Sequence, residues 1–319
     1  MKKIKVAVLV GGPSTEYEVS LNSGKNVFKA INPAKFISSL AVLSKSLKLK
    51  INNQAAKFPE DLKSFDIVFN AMHGQFGEDG QIQAILDKIN VPFTGAGAVA
   101  SSLAMDKWAS REVFRKSKIR IPLGKLILAP GEISKINLPA VLKPRNGGSS
   151  VGVSIVKSKK ELLKKIKETF RYDSEVVVEK YLVGREFTCG VLEIKGKLKA
   201  LPVIEIRPKE KYEFFDYEAK YKTGATDEIV PAPISVKLSR EIQRLALKIH
   251  RALKCRVYSR SDFIWHKNKL YTLELNTLPG LTQNSLLPKS ARVAGLDFPK
   301  LIETIIFSSL RYFKKKASG

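Results

Sequence analysis

Arg260-Ser261-Asp262 and Glu274-Leu275-Asn276 set an arginine, two carboxylates and an amide on two apolar runs that flank a turn at His266-Lys267-Asn268. Side chains alternate along a strand, so Arg260 and Asp262 share one face, as do Glu274 and Asn276. If a hairpin makes those faces coincide, an all-oxygen donor set converges beside a cation. Such a set suits Mg²⁺ on nucleotide phosphates better than zinc, and the arginine suits a developing oxyanion. The spacing alone is equally compatible with a charged surface cluster.

The loop Gly147-Gly148-Ser149-Ser150-Val151-Gly152 offers backbone N–H groups and two hydroxyls, which is what a polyphosphate requires. It matches neither common phosphate-loop pattern, so on its own it reads first as a hairpin turn. Lys143 and Lys180, the latter beside Glu179, end strands near it and could neutralise phosphate charge; singly, each reads as a solvated strand end. Glu16 lies in the first loop between strand and helix, where a carboxylate can meet a substrate ammonium or simply favour a helix N-terminus. His73 follows another strand end. His250 in a helix, His266 at a hairpin tip, and Cys189 and Cys255 as small buried side chains carry no chemistry in this reading.

These groups need a framework. Ile4–Val10 reads as a buried strand, followed by a Gly11-Gly12 turn and a helix over Tyr17–Ala30. A strand at 66–71, a glycine-rich loop at 73–80 and a helix at 81–88 come next, the alternation of a parallel sheet with functional loops at its strand ends. Helices at 99–104 and 106–116 follow a boundary near residue 95. Paired strands at 139–144 and 152–156, a helix capped by Ser158 with Glu161, and a β-run at 175–182 make a second texture. A hairpin turning at Lys195-Gly196-Lys197, a long polar loop over 208–230, a helix at 238–253, the 260–276 hairpin, a loop at 277–285 and a helix at 298–313 complete the chain.

With 319 residues, 44% hydrophobic and 27% charged, the composition is that of a soluble chain of two or three domains. Two separated cysteines and three scattered histidines exclude a zinc site and a disulfide scaffold, and point to a reducing compartment. The apolar run after Met1-Lys2-Lys3 stops at Gly11, short of the roughly 7–15 residues a secretion signal needs. No apolar run is long enough to insert in a membrane, so a cytoplasmic location is expected. The net charge of +26 invites a polyanion, but its lysines are spread in short doublets such as Lys164-Lys165; a basic solvated surface without a specific nucleic-acid partner is expected.

Taken in order, several strings resemble the D-alanine–D-alanine ligases of the ATP-grasp superfamily. They are Gly11-Gly12-x-Ser14-x-Glu16-x-Glu18-Val19-Ser20, His73-Gly74-x-x-Gly77-Glu78-Asp79-Gly80, Met105-Asp106-Lys107, Lys143-Pro144, Gly148-Ser149-Ser150-Val151-Gly152, Tyr217-Glu218-Ala219-Lys220-Tyr221, Arg260-x-Asp262 and Glu274-x-Asn276-Thr277-x-Pro279-Gly280. Each is weak alone; their order and separation carry the likeness, from Val8 to about Gly295. The resemblance implies an α/β and α+β chain with the ATP-grasp fold. Its divisions would be an N-terminal parallel α/β domain over 1–95, a central lid domain over 96–183 and a C-terminal domain over 184–319.

The resemblance also implies roles. Lys107, Lys143, Lys180 and Lys220 would contact ATP phosphates, with Ser150 of the glycine loop also at ATP. Glu179, Tyr181 and Leu182 would surround adenine, and Glu186 the ribose. Asp262, Glu274 and Asn276 would hold two Mg²⁺ or Mn²⁺. Glu16, hydrogen-bonded with Ser149 and Tyr221, would take the ammonium of the first D-alanine, with His73 nearby. Ser285 and Leu286 would read the second carboxylate, while Arg260 and the Gly280 N–H stabilise the tetrahedral intermediate. The loops at 146–152 and 208–230 would exclude water from an acyl phosphate. A homodimer is implied too. Ser259, Ser261 and Arg145-Asn146 depart from the family pattern. Two rivals are another ATP-grasp carboxylate–amine ligase, which would not need Glu16 or the Tyr217–Tyr221 string, and a basic nucleic-acid-binding protein, which rests on charge alone.

Overall fold

A computed structural model describes residues 2–148, 150–209 and 226–318. Ser149, Tyr217, Lys220 and Tyr221 lie outside the described residues, so their expected contacts do too.

The N-terminal sheet is built on β1 (Ile4–Gly11), which pairs in parallel with β2 (Phe36–Leu43) and β5 (Ile67–Asn70). Short β3 (Leu49–Ile51) and β4 (Gln54–Ala56) extend the far edge antiparallel, giving the order β4-β3-β2-β1-β5. The run Val6–Val10 is fully buried because both faces of a central parallel strand are covered. Val6, Val8 and Val10 enter one core with Val27 of α1 (Tyr17–Ala30) and Leu301 and Ile305 of the terminal helix. Ala7 and Leu9 enter another with Ile82 and Leu86 of α2 (Gln81–Lys88). The strands β2, β3 and β4 were not foreseen: β2 carries Ser38-Ser39 mid-strand, and β3 and β4 are three residues long each, so their period-two signal is weak.

After α3 (Ala98–Met105) and α4 (Lys107–Lys116), β6 (Gly124–Ile127), β7 (Ala140–Pro144), β8 (Ser154–Val156) and β9 (Val176–Lys180) form an antiparallel sheet of order β6-β9-β7-β8. It is covered by α5 (Lys159–Thr169), whose Leu162 and Ile166 pack on Leu142, Val156 and Val178. The helix is capped as expected: Ser158 accepts from the Glu161 N–H at 3.3 Å, and Glu161 reaches back to the Lys157 N–H at 2.7 Å.

The third sheet runs β13-β12-β10-β14-β15 with β11 on β10. Its strands are β10 (Arg185–Ile194), β11 (Lys197–Ala200), β12 (Ile204–Pro208), β13 (Thr226–Ile229), β14 (Tyr258–His266) and β15 (Lys269–Asn276). Helix α6 (Val236–Ala252) buries Leu238, Ile242, Ala246 and Ile249, spaced for one helical face, and Ser235 caps it. Residues 226–229, expected as the end of a long loop, instead form edge strand β13 against Pro208–Glu205. Helix α7 (Leu286–Val293) was also unforeseen, its Pro288 standing in the first turn, where no intrahelical N–H is needed. The last helix, α8 (Phe298–Ser318), runs past Phe313 into a basic end. Among the described residues no helix is long and apolar enough to cross a membrane.

Candidate active site

Two cavities meet where these three sheets converge, one of about 770 Å³ and one of about 150 Å³. Lys107, Gly147, Gly148 and Glu274 line both. The smaller holds Lys143, Ser150, Glu179, Lys180, Tyr181, Leu182, Glu186 and Asp262. The larger holds Glu16, His73, Arg260, Asn276, Gly280, Ser285 and Leu286. Every expected site residue that is described thus lines one or both cavities.

The hairpin at their junction pairs Arg260 with Asn276 and Asp262 with Glu274, so the two faces do coincide; a bulge follows at Asp262/Phe263. Arg260 forks onto Asp262 through two hydrogen bonds of 2.9 Å, and the Thr188 hydroxyl donates to the same carboxylate at 2.6 Å. Burial works against the Arg260 cation, but Asp262, Glu274 and Glu78 around it hold it charged. Among the described residues no three His, Cys, Asp or Glu side chains form a metal cluster; the donor set here is two carboxylates and an amide. It fits a hard cation. Arg260 and Thr188 bond the Asp262 carboxylate, and the Asn276 side-chain carbonyl oxygen accepts the Leu278 N–H at 2.8 Å, contacts that fix the direction of both oxygen donors.

Glu179, only 3% exposed, joins two cations: Arg111 on one oxygen and Lys143 on the other at 2.7 Å. Burial alone would push its carboxyl up, yet Lys143 and Arg111 together hold it below the ordinary 4.5. Because the folded value lies below the unfolded one, the stabilisation is present above the unfolded value and lost as pH falls through the folded one. Glu179→Gln is therefore expected to be less stable than the parent at pH 7, with the two melting temperatures converging as pH falls below about 4.5. Parallel pH profiles of the two proteins would contradict this charge triad.

Lys107 opens α4, and its ammonium donates to the Gly147 carbonyl at 2.7 Å, against the glycine loop. The loop's base is tied down by Arg145. Its guanidinium forks onto Asp106, the N-cap of α4, at 2.9 and 2.7 Å and reaches Glu175 at 2.5 Å. Asn146 bonds Asp173 through its backbone and side chain. The departure at Arg145-Asn146 thus has a structural account. So does Ser259, whose hydroxyl bonds the buried His250 at 2.7 Å on the face of β14 away from Arg260. Burial pushes His250 down to about 4, so it is neutral there. Nothing in the structure explains Ser261.

Glu16 is buried at the start of α1, and a Cβ added to Gly148 would come within 3.5 Å of its carboxylate. His73 uses both ring nitrogens, on the Ser23 hydroxyl at 2.9 Å and on Glu78 at 3.2 Å, and Glu78 also accepts the Gly74 N–H at 3.0 Å. Ser285 precedes α7 and bonds the Thr282 hydroxyl at 2.8 Å; a side chain at Gly280 would press to within 3.0 Å of the Ser285 hydroxyl. Sequence reasoning gave no role to Glu78, Arg111 or Thr188. Glu78 stood inside the quoted glycine-rich string, and Arg111 lies four residues after Lys107 on one helical face. Thr188 had no signal, since only the pairing of β10 with β14 brings it opposite Asp262.

Family models described as D-ala D-ala ligase N-terminus and C-terminus match residues 5–96 and 118–307. The chain is 42% identical to the D-alanine–D-alanine ligase of Clostridium botulinum over 98% of its own length and 100% of that protein's. For the enzyme of Thermotoga petrophila the identity is 40%, over 96% and 97%. Among solved structures, a D-alanine–D-alanine ligase from Bacillus anthracis complexed with ATP superposes with a TM-score of 0.82 at 34% identity, over 98% of this chain and 99% of that one. The D-alanine–D-alanine ligase of Coxiella burnetii gives 0.86 at 26% identity, over 100% and 97%.

Proposed function

Since the chain belongs to the D-alanine–D-alanine ligase family, we propose that its two cavities divide that family's reaction, the smaller taking ATP and the larger both amino acids. The chain has the ATP-grasp fold and is an ATP-dependent ligase that joins two D-alanines for peptidoglycan precursor synthesis. The observation that carries the division of labour is the β14–β15 register, which makes Glu274 a wall of both cavities.

In this reading a carboxylate oxygen of the first D-alanine, its ammonium on Glu16, attacks the γ-phosphorus of ATP. The bond to ADP breaks and an acyl phosphate forms. Lys107, Lys143 and Lys180 face the phosphates, with Ser150 on the glycine loop and Lys220 from beyond the described residues. Glu179, Tyr181 and Leu182 line the adenine end and Glu186 the ribose, and Glu179 also orients Lys143. Asp262, Glu274 and Asn276 would hold two Mg²⁺ or Mn²⁺, which when bound neutralise charge on the transferring phosphoryl group. The second amine then attacks the acyl carbonyl. Arg260 and the Gly280 N–H stabilise the oxyanion before phosphate leaves, and Ser285 with Leu286 orients the second carboxylate. His73, pinned by Ser23 and Glu78, shapes the first substrate's wall, and Ser149 and Tyr221 complete the Glu16 group.

Residues 1–95, 96–183 and 184–319 are read as substrate, lid and metal-bearing units of a cytoplasmic homodimer. The +26 charge is read as solvated surface without a specific nucleic-acid partner, in keeping with lysines spread along the chain. Phosphate release from ATP across a panel of D- and L-amino acids tests the whole. D-alanine should be the best substrate, with one D-alanyl-D-alanine formed per phosphate. Release that needs a different amine, or that prefers L-amino acids, would overturn the reading.

A further inference from the structure

Helix α7 starts beside the larger cavity. Its N-cap Ser285 and Lys289 are four residues apart, so they stand one above the other on one face, and both line that cavity. The Lys289 ammonium meets the Glu228 carboxylate of β13 at 2.5 Å, bridging two walls. With side chains 31% and 17% exposed, the pair is open enough to be reached yet sheltered enough to be felt. Among the described residues three cations line this cavity: Lys107, Arg260 and Lys289. Lys107 is turned to the Gly147 carbonyl at the ATP side, and Arg260 is forked onto Asp262. A carboxylate placed at Ser285 therefore has Lys289 as the cation carried on the same helix face.

We infer that Lys289, oriented by Glu228, binds the carboxylate of the second amino acid and so makes a free α-carboxylate a requirement of the acceptor. This rests on the larger cavity holding both amino acids. An ammonium has three donors, and Glu228 uses one. Glu228 also keeps the cation compensated before substrate arrives, which an unpaired, partly buried charge would not be. The step served is attack of the acceptor amine on the acyl phosphate, forming the C–N bond and expelling phosphate; Lys289 orients the acceptor without exchanging a proton.

D-alaninamide isolates this contact. It keeps the attacking amine but has no carboxylate, so it cannot be phosphorylated and can act only as acceptor. The protein is given ATP, D-alanine and D-alaninamide, and D-alanyl-D-alanine and D-alanyl-D-alaninamide are resolved by mass. The parent should favour the dipeptide. Lys289→Met should lower the dipeptide-to-amide ratio about tenfold or more, since a hydrogen bond to a charged partner is lost only with D-alanine. Lys289→Arg should keep most of the preference, and Lys289→Gln, which retains a donor toward Glu228, serves as a second neutral variant. An unchanged ratio in folded Lys289→Met and Lys289→Gln, or equal depression of both products, would overturn the inference. Ser285→Ala separates that failure from failure of the cavity assignment. If the cavity is correctly assigned, Ser285→Ala shifts the ratio even when the Lys289 variants do not. If none of the three shifts it, the assignment itself falls and the inference with it.

Discussion

Glu274→Gln is expected to lower kcat about a thousandfold or more while leaving the melting temperature within a few degrees of the parent. Glu274 stands opposite Asp262 on the wall common to both cavities and is half-buried, outside the hydrophobic cores. Glutamine has nearly the same shape, so packing is kept and only the charge is removed. Charge stabilisation by a metal at a phosphoryl group amounts to several kcal/mol, and about 4 kcal/mol corresponds to roughly a thousandfold in rate. The cost to folding should be small, because Arg260 keeps its fork on Asp262. Initial rates of phosphate release over a Mg²⁺ titration, beside a thermal melt, decide it. A folded variant turning over at near the parent rate would remove Glu274 from the metal set.

Periodicity and position explain which parts of this molecule could be read from its residues. The helices Tyr17–Ala30 and Gln81–Lys88 carry long, clean signals and end where expected. The hairpin at His266-Lys267-Asn268 was legible because turn residues separate two alternating runs, and its register then set the Arg260, Asp262, Glu274 and Asn276 cluster. Strands of three residues such as β3 and β4 carry too little alternation to be seen; β3 owes its place to the edge of β2, and β4 to β3.

The site divides the same way. Glu16, Lys143 and the glycine loop were visible as types in sequence, but their convergence from two sheets was carried by resemblance and not by spacing. The Arg111–Glu179–Lys143 triad was hidden because its members are separated by tens of residues and meet only once β9 pairs with β7 and α4 packs alongside. Glu179, which the resemblance sets beside adenine, lines the smaller cavity and also holds two cations on its carboxylate, a second task that nothing in the spacing signals.

Arg260→Lys should separate the two halves of the reaction. Arg260→Met is the poorer probe. It would take the guanidinium fork away from buried Asp262, and breaking a buried ion pair from one side costs about 3–5 kcal/mol, enough to confuse lost function with lost fold. Lysine retains the charge, which Asp262, Glu274 and Glu78 favour at this position, but it cannot reproduce the two-pronged contact. The ammonium is then free to rotate away from where the oxyanion forms. Loss of one such donor lowers turnover by about 10²–10³-fold. The oxyanion belongs to the second step, so acyl-phosphate formation, read as positional isotope exchange in ATP with D-alanine, should fall far less than dipeptide synthesis. A modest drop in melting temperature is expected from the weaker pairing with Asp262. If both half-reactions fall together, Arg260 serves phosphoryl transfer or the framework of the hairpin; if neither falls, the Gly280 N–H and other donors suffice without it.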